Sequence, residues 1–381
     1  MRIGLDVAHT CVERHGCGWV ADRTSTALGN ICVSDSIILY HQFGEWMNWN
    51  TSAGTMIERS NVSAPFMGSS WLSAVIAWKK IEAGCSNLPG DPEIVHSFSF
   101  QAPQVGNARL VYTVHDLSFW THPEFATEVN RLGCQRGVLN AVRRASAFVF
   151  VSENCRHDFH SLLPYSDRVR GLPSAVIPLA SRFPSVAEAR AEFSSGPWLN
   201  VGAMEPRKNI DSLLDAYEIY RERSNCPRKL CMAGGKGWKS EGTWKRIGDL
   251  QRRGLIDHRG YVSDPELARL YGKAFGFVFP SHNEGFGLPV LESMSQACPV
   301  ICSKNSSLPE VGGEAVLYWE GQSAETLADS MLQLERDQGL YLRLSKEGLE
   351  RSRLFSWEKT ARGLREFYGH VARMDNFDAI A

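Results

Sequence analysis

Short apolar runs bounded by Gly, Pro and Asn alternate with longer helical patterns along the whole of this chain. That alternation constrains the fold more than any other feature, because parallel strands need long crossovers that are usually helical. In the first half the runs lie at Arg2–Val7, Ser36–Tyr40, Glu93–Phe98, Leu110–His115, Ala147–Val151 and Ala175–Pro178. They resume at Trp198–Ala203, Lys229–Ala233, Ile256–Tyr261, Gly276–Phe279, Val300–Ser303 and Ala315–Tyr318. Two sets of six across 381 residues predict two Rossmann-like α/β domains, with the changeover in the Ser- and Pro-containing stretch Ser181–Pro197. There is no internal repeat and no low-complexity tract.

Composition matters chiefly for what it excludes. A net charge of −1 with no basic run argues against a nucleic-acid partner. The ten cysteines form no Cys-x-x-Cys pair, so they read as reduced packing residues of a cytoplasmic protein, without a zinc ribbon or redox dithiol. The first residues read as a strand, not as a secretion leader, and no run of 18 apolar residues occurs that could span a membrane.

The chemistry concentrates in Pro280–Glu292, Pro-Ser-His-Asn-Glu-Gly-Phe-Gly-Leu-Pro-Val-Leu-Glu. The apolar run Gly276–Phe279 ends there, and Pro289 suits the first turn of a helix. Between them Gly285 and Gly287 let the backbone approach a ligand with N–H groups facing it, so Gly285, Phe286, Gly287 and Leu288 are candidate anion-binding residues. Glu284 and Glu292 bracket that cradle, which suits a phosphorylated sugar or a nucleotide whose hydroxyls the carboxylates accept. A second loop, Gly202-Ala203-Met204-Glu205-Pro206-Arg207-Lys208-Asn209, follows another apolar run and opens the helical pattern Asn209–Arg223. Arg207 and Lys208 at a helix start are unfavourable against the helix dipole unless an anion is present. Gly234-Gly235-Lys236-Gly237-Trp238-Lys239-Ser240 is not a P-loop, because Trp238 stands where glycine must precede Lys-Ser.

The Glu-x7-Glu spacing within Pro280–Glu292, continued by Pro299-Val300-Ile301 and Ser306–Val311, resembles glycosyltransferase family 4, the glycosyl transferases of group 1. The resemblance implies a GT-B fold: two Rossmann-like domains with parallel sheets facing a central cleft. It implies an acceptor domain over residues 1–182, a nucleotide-sugar donor domain over 183–355, and a last helix within 356–381 packing back on the first domain. It also implies retaining transfer of a hexose from a nucleotide sugar. Glu284 would stabilise the sugar and Glu292 would bond the donor ribose. Lys208 and Arg207, with Gly202, would hold the diphosphate; many relatives carry that arginine directly after the glycine, where this chain has Ala203. Tyr261 and Val262 would meet the base, Gly16 and Gly18 would lie in a first loop under the phosphates, and His115 would contact the transferred sugar. No cofactor or metal is expected, since no Asp-x-Asp motif occurs and side chains can replace the ion. The Glu-Pro-Arg-Lys-Asn run looks most like bacterial mannosyltransferases of surface-polysaccharide (lipopolysaccharide) assembly, with GDP-mannose as donor and a glycan or lipid-linked saccharide as acceptor. The competing readings are a GT-B epimerase or phosphorylase and a non-catalytic sugar-nucleotide-binding protein.

One further segment, Phe43–Gly84, carries Trp46, Trp49, Trp71 and Trp78. Trp71-Leu72, Val75-Ile76 and Lys79-Lys80 fit an amphipathic helix with a basic end. Such a helix either packs on its own domain, lines an acceptor groove, or gives the protein peripheral contact with the inner face of the membrane.

Overall fold

The computed structural model describes residues 1–12, 14, 16–44, 50–163, 167–321 and 323–374. Trp46 and Trp49, and the tail beyond residue 374, therefore lie outside the described residues. The chain forms two compact units, each built on one parallel sheet. Unit 1 comprises Met1–Leu117, Glu128–Leu179 and Ser356–Ala381, and unit 2 comprises Ser118–Thr127 and Ala180–Phe355.

In unit 1 the strands are β1 (Arg2–Asp6), β2 (Ser36–Tyr40), β3 (Val62–Ser63), β4 (Ile94–Ser97), β5 (Arg109–Val114), β6 (Ala147–Phe150) and β7 (Ser174–Val176). They pair in the order β3-β2-β1-β4-β5-β6-β7, all in parallel. In unit 2 the strands are β8 (Trp198–Val201), β9 (Leu230–Ala233), β10 (Ile256–His258), β11 (Gly276–Phe279), β12 (Val300–Ser303) and β13 (Leu317–Trp319). Their order is β10-β9-β8-β11-β12-β13, again parallel. All twelve expected strands are present. β3 is the addition, a two-residue strand held by Ile37 and Ile38 of β2 and too short to leave a periodic signal.

Central strands are buried on both faces, which is why they read as unbroken apolar runs. In unit 2 the core gathers Trp198, Tyr217, Tyr220, Phe275, Met331 and Tyr341, with the Trp198 ring edge-on to Tyr220 and Phe275.

Two segments leave their sequence neighbours. The last helix, Trp357–Ala372, packs along the helix Gly16–Ile31 in unit 1. It is fastened by Thr360 Oγ1 to the Pro178 carbonyl (2.7 Å), Arg365 Nε to Asp35 (2.8 Å) and Tyr368 Oη to His96 Nδ1 (2.5 Å). Ser118–Thr127, in the middle of the first half, belongs to unit 2. There Trp238 Nε1 donates to the Phe125 carbonyl (2.5 Å), Lys239 Nζ to the Glu124 carbonyl (2.9 Å), and Phe125 stacks on His282 at 5.3 Å. This placement departs from the expected first domain of residues 1–182, because the aromatic and carbonyl partners of the segment lie in unit 2.

Candidate active site

In each sheet the chain reverses direction beside the first strand: between β1 and β4 in unit 1, and between β8 and β11 in unit 2. Open α/β sheets bind ligands at the carboxyl ends of the strands at such a switch point. The two loops singled out in the sequence, 202–209 after β8 and 280–287 after β11, meet at the switch point of unit 2.

The backbone brings the loops into place. Gly202 and Gly234 both have φ of 147°, and a Cβ on Gly234 would stand 1.9 Å from the Gly202 carbonyl oxygen, so the loops after β8 and β9 close only on glycine. Pro206–Lys208 forms a short 3-10 turn, and Asn209, in the left-handed region at φ 54°, redirects the chain into the helix Ile210–Arg223. After β11, Gly287 takes φ 104° before the helix Leu288–Ser295. Ser306 Oγ accepts from the Glu284 N–H (3.0 Å) and Ser307 Oγ donates to its carbonyl (2.7 Å), which pins the backbone of that residue.

Glu284 is buried where the two loops meet. Its Oε1 accepts from Lys208 Nζ (2.6 Å) and Ser281 Oγ (2.6 Å), and its Oε2 accepts from Arg207 Nη1 (2.8 Å). Burial alone would raise its pKa, but the charges of Arg207 and Lys208 and the hydrogen bonds from Lys208 and Ser281 hold it at about 2. Glu284 is therefore ionised at neutral pH, suited to stabilise positive charge and unsuited to donate a proton. Arg207 is itself clamped: it also donates to Glu205 Oε1 (2.9 Å) and to the Asn283 carbonyl (2.9 Å). Lys208 rests over the Phe279 ring at 4.9 Å.

Glu292 has a different setting. It is fully buried, with Arg182 Nε at 2.5 Å from Oε1, Arg182 Nη2 at 3.0 Å from Oε2 and Tyr271 Oη at 3.3 Å from Oε2. Arg182 Nη1 also reaches Asp264 Oδ1 (3.2 Å).

The family profile described as glycosyl transferases group 1 matches residues 197–351. The chain is 32% identical over 278 residues to the O-antigen chain mannosyltransferase B of Escherichia coli, covering 70% of this chain and 71% of that protein. This chain is a group 1 glycosyltransferase. A D-inositol 3-phosphate glycosyltransferase of Corynebacterium glutamicum is 33% identical to this glycosyltransferase over 317 residues, 75% of this chain and 74% of that one. The sucrose-phosphate synthase of Thermosynechococcus elongatus superposes with a TM-score of 0.70 over 97% of this chain and 98% of that one, at 21% identity. The fold is GT-B.

Within unit 2 of the glycosyltransferase, the structure gathers Glu284, Lys208 and Arg207 into one cluster, with Gly202 at its edge through the loop it shares with Lys208. Gly285, Phe286 and Gly287 are buried in the loop, and Leu288 opens the helix. Tyr261 is exposed and Val262 half-buried in the loop after β10. Glu292 and its partners form a separate network.

Three expected residues belong to unit 1. His115 Nε2 faces the Phe98 carbonyl at 2.8 Å; a carbonyl only accepts, so Nε2 carries the proton. Burial lowers the pKa of His115, against the opposing pull of that hydrogen bond, Asp116 and Asp6. Gly16 and Gly18 do not sit in a loop: they lie in the first turn of the helix Gly16–Ile31. A Cβ on Gly18 would stand 2.7 Å from the His9 carbonyl oxygen, so glycine there lets the helix start tight against the preceding turn.

Sequence reading passed over Ser281, Glu205 and Arg182 as contacts of these carboxylates. Ser281 lies in the quoted motif and Glu205 in the quoted loop, so both were within reach. Arg182 carries no local signal, being 110 residues from Glu292.

Proposed function

We propose that this glycosyltransferase moves mannose from GDP-mannose to a glycan or lipid-linked saccharide in surface-polysaccharide assembly, with retention of anomeric configuration and without a metal ion. The observation that carries the chemistry is Glu284, an ionised carboxylate held by Lys208, Arg207 and Ser281 at the switch point of unit 2. Similarity to an O-antigen mannosyltransferase supports the sugar.

In this reading the bond between the anomeric carbon and the β-phosphate oxygen breaks and its electron pair leaves with the diphosphate, while the acceptor hydroxyl oxygen bonds to the anomeric carbon on the same face and its proton passes to the departing phosphate oxygen. Lys208 and the N–H groups of Gly285–Leu288 stabilise that charge, while Glu284 stabilises the positive character on the sugar ring. Arg207, bracketed by Glu205 and Glu284, serves first to aim the Glu284 carboxylate. Tyr261 and Val262 meet the base. For Glu292 to take the ribose hydroxyls, Arg182 must release one of its two hydrogen bonds. We assign the enzyme to the cytoplasm, with peripheral contact at the inner face of the membrane.

The test is release of nucleotide diphosphate from a panel of nucleotide sugars, with and without acceptor and with and without EDTA. The expected result is acceptor-dependent turnover of GDP-mannose that survives chelation. Turnover that collapses in EDTA and returns with manganese would overturn the metal-free mechanism. Conversion of the donor without any acceptor would point to an epimerase, and thermal stabilisation by GDP without turnover would point to a binding protein.

A further inference from the structure

The helix Glu128–Arg144 of unit 1 has two apolar sides. Gly137, Val138 and Ala141 are buried, with Gly137 so close to the Phe100 carbonyl oxygen that a Cβ would stand 2.1 Å from it. Away from that side, Val129 is 85% exposed, Leu132 49% and Leu139 41%. At about 100° per residue, Val129, Leu132, Arg136, Leu139 and Arg143 fall within an arc of about 80°, clear of the buried positions.

Charge sharpens the pattern. From Val129 to Arg144 the helix carries Arg131, Arg136, Arg143 and Arg144 and not one carboxylate, in a chain whose net charge is −1. The helix Trp71–Glu82 repeats the arrangement. Ala74, Trp78 and Ile81 are buried, whereas Leu72 (59%) and Ile76 (45%) are exposed, and Lys79 and Lys80 stand exposed in the last turn. The crossovers β3→β4 and β5→β6 run in the same direction across the sheet, so right-handed connections put both helices on one face. The crossover β1→β2 runs the other way and places the helix Gly16–Ile31, with the last helix against it, on the opposite face.

Single exposed leucines are ordinary, but apolar stripes flanked by cations on two helices of one face mark an interaction surface. We propose that this helical face of unit 1 docks on an anionic lipid surface, an inference that rests on the peripheral membrane contact of the proposed function and gives it a surface. Val129, Leu132, Leu139, Leu72 and Ile76 enter the headgroup boundary while the exposed heads of Arg143, Lys79 and Lys80 reach lipid phosphates. A second copy of the chain fits less well, because a two-fold contact through a stripe without carboxylates sets arginine against arginine.

The experiment is vesicle flotation of the full chain with phosphatidylcholine alone and with added phosphatidylglycerol, at low and physiological salt. The expected result is binding to the anionic vesicles only, weakened by salt. The double substitution Val129→Glu/Leu132→Glu should lower the partition coefficient by about tenfold or more, since it puts charge where apolar area inserts. Arg143→Gln should lower it by about fivefold. Both variants change exposed positions, and nucleotide-diphosphate binding followed by thermal shift checks that they remain folded, independently of the donor reading. Equal binding to both kinds of vesicle, binding to neither, or full binding by the double variant would overturn the proposal. So would a dimer in gel filtration that Val129→Glu dissociates, which would give the face to a second copy.

Discussion

Asp6 and Glu284 each stand at the switch point of their sheet, on opposite members of the strand pair that flanks it, and behave in opposite ways. Asp6 ends β1 at the switch point of unit 1, and Glu284 follows β11 at the switch point of unit 2. Both carboxylates are buried. Asp6 takes hydrogen bonds from Ser99 Oγ (2.6 Å) and the Ala8 N–H (3.1 Å), both neutral donors, and burial outweighs them to push its pKa up to about 6. Glu284 suffers the same burial, yet two cations reverse the sign and hold it at about 2. Neutral donors soften the desolvation of a carboxylate; paired cations overturn it.

The largest break in this comparison comes from removing the ionised carboxylate. Glu284→Ala should lower turnover by on the order of 10²–10³ while changing the donor Michaelis constant much less, because its interaction strengthens as charge develops. Steady-state kinetics decides this, and a variant impaired only in donor binding would refute the role.

Next in size is a pH series. Glu284, depressed from 4.5 to about 2, contributes stability that is present above pH 4.5 and is lost as pH falls through 2. Asp6, raised from 3.8 to about 6, contributes stability that is present below pH 3.8 and is lost as pH rises through 6. Each amounts to on the order of 3 kcal/mol at full titration. Thermal unfolding from pH 2 to 8 should show acid destabilisation that Glu284→Gln reduces, and a loss of stability between about pH 4 and pH 6 that Asp6→Asn removes.

Removing one cation sharpens the contrast further. Lys208→Ala should weaken nucleotide-diphosphate binding by about 2 kcal/mol, roughly thirtyfold, because a charged hydrogen bond is lost. It should also move the acid limb of the stability profile upward, making Glu284 resemble Asp6. Unchanged calorimetric affinity would leave Arg207 and the loop N–H groups as the anion site. The smallest effect is expected for Asp6→Asn at pH 8, a stabilisation of about 1–2 kcal/mol as an ionised buried group is replaced by a neutral one. Destabilisation there would mean that Asp6 has a counter-charge.

The parallel character of both sheets follows from local pattern: apolar runs such as Gly276–Phe279 and Trp198–Val201 are buried on both faces, as strands between two helical layers are. The Pro280–Glu292 motif and the Arg207–Lys208 pair were legible for the same reason, since a strand, a glycine turn and a helix start are contiguous. The meeting of those loops was decided by the tertiary structure, which makes β8 and β11 neighbours at the switch point. What stayed hidden depends on partners distant in sequence. Glu292 looked equivalent to Glu284 on spacing alone; Arg182, brought in across 110 residues, makes it a locked internal pair. Gly16 and Gly18 looked like a loop because glycine weakens a helix in isolation, and tight packing against the His9 carbonyl compensates. Ser118–Thr127 looked like part of the first domain until Trp238, Lys239 and His282 supplied its contacts. Local propensity and burial period are written along the chain and can be read there. The ionisation state of a carboxylate depends on charges within a few ångströms, and only the tertiary structure decided which those are.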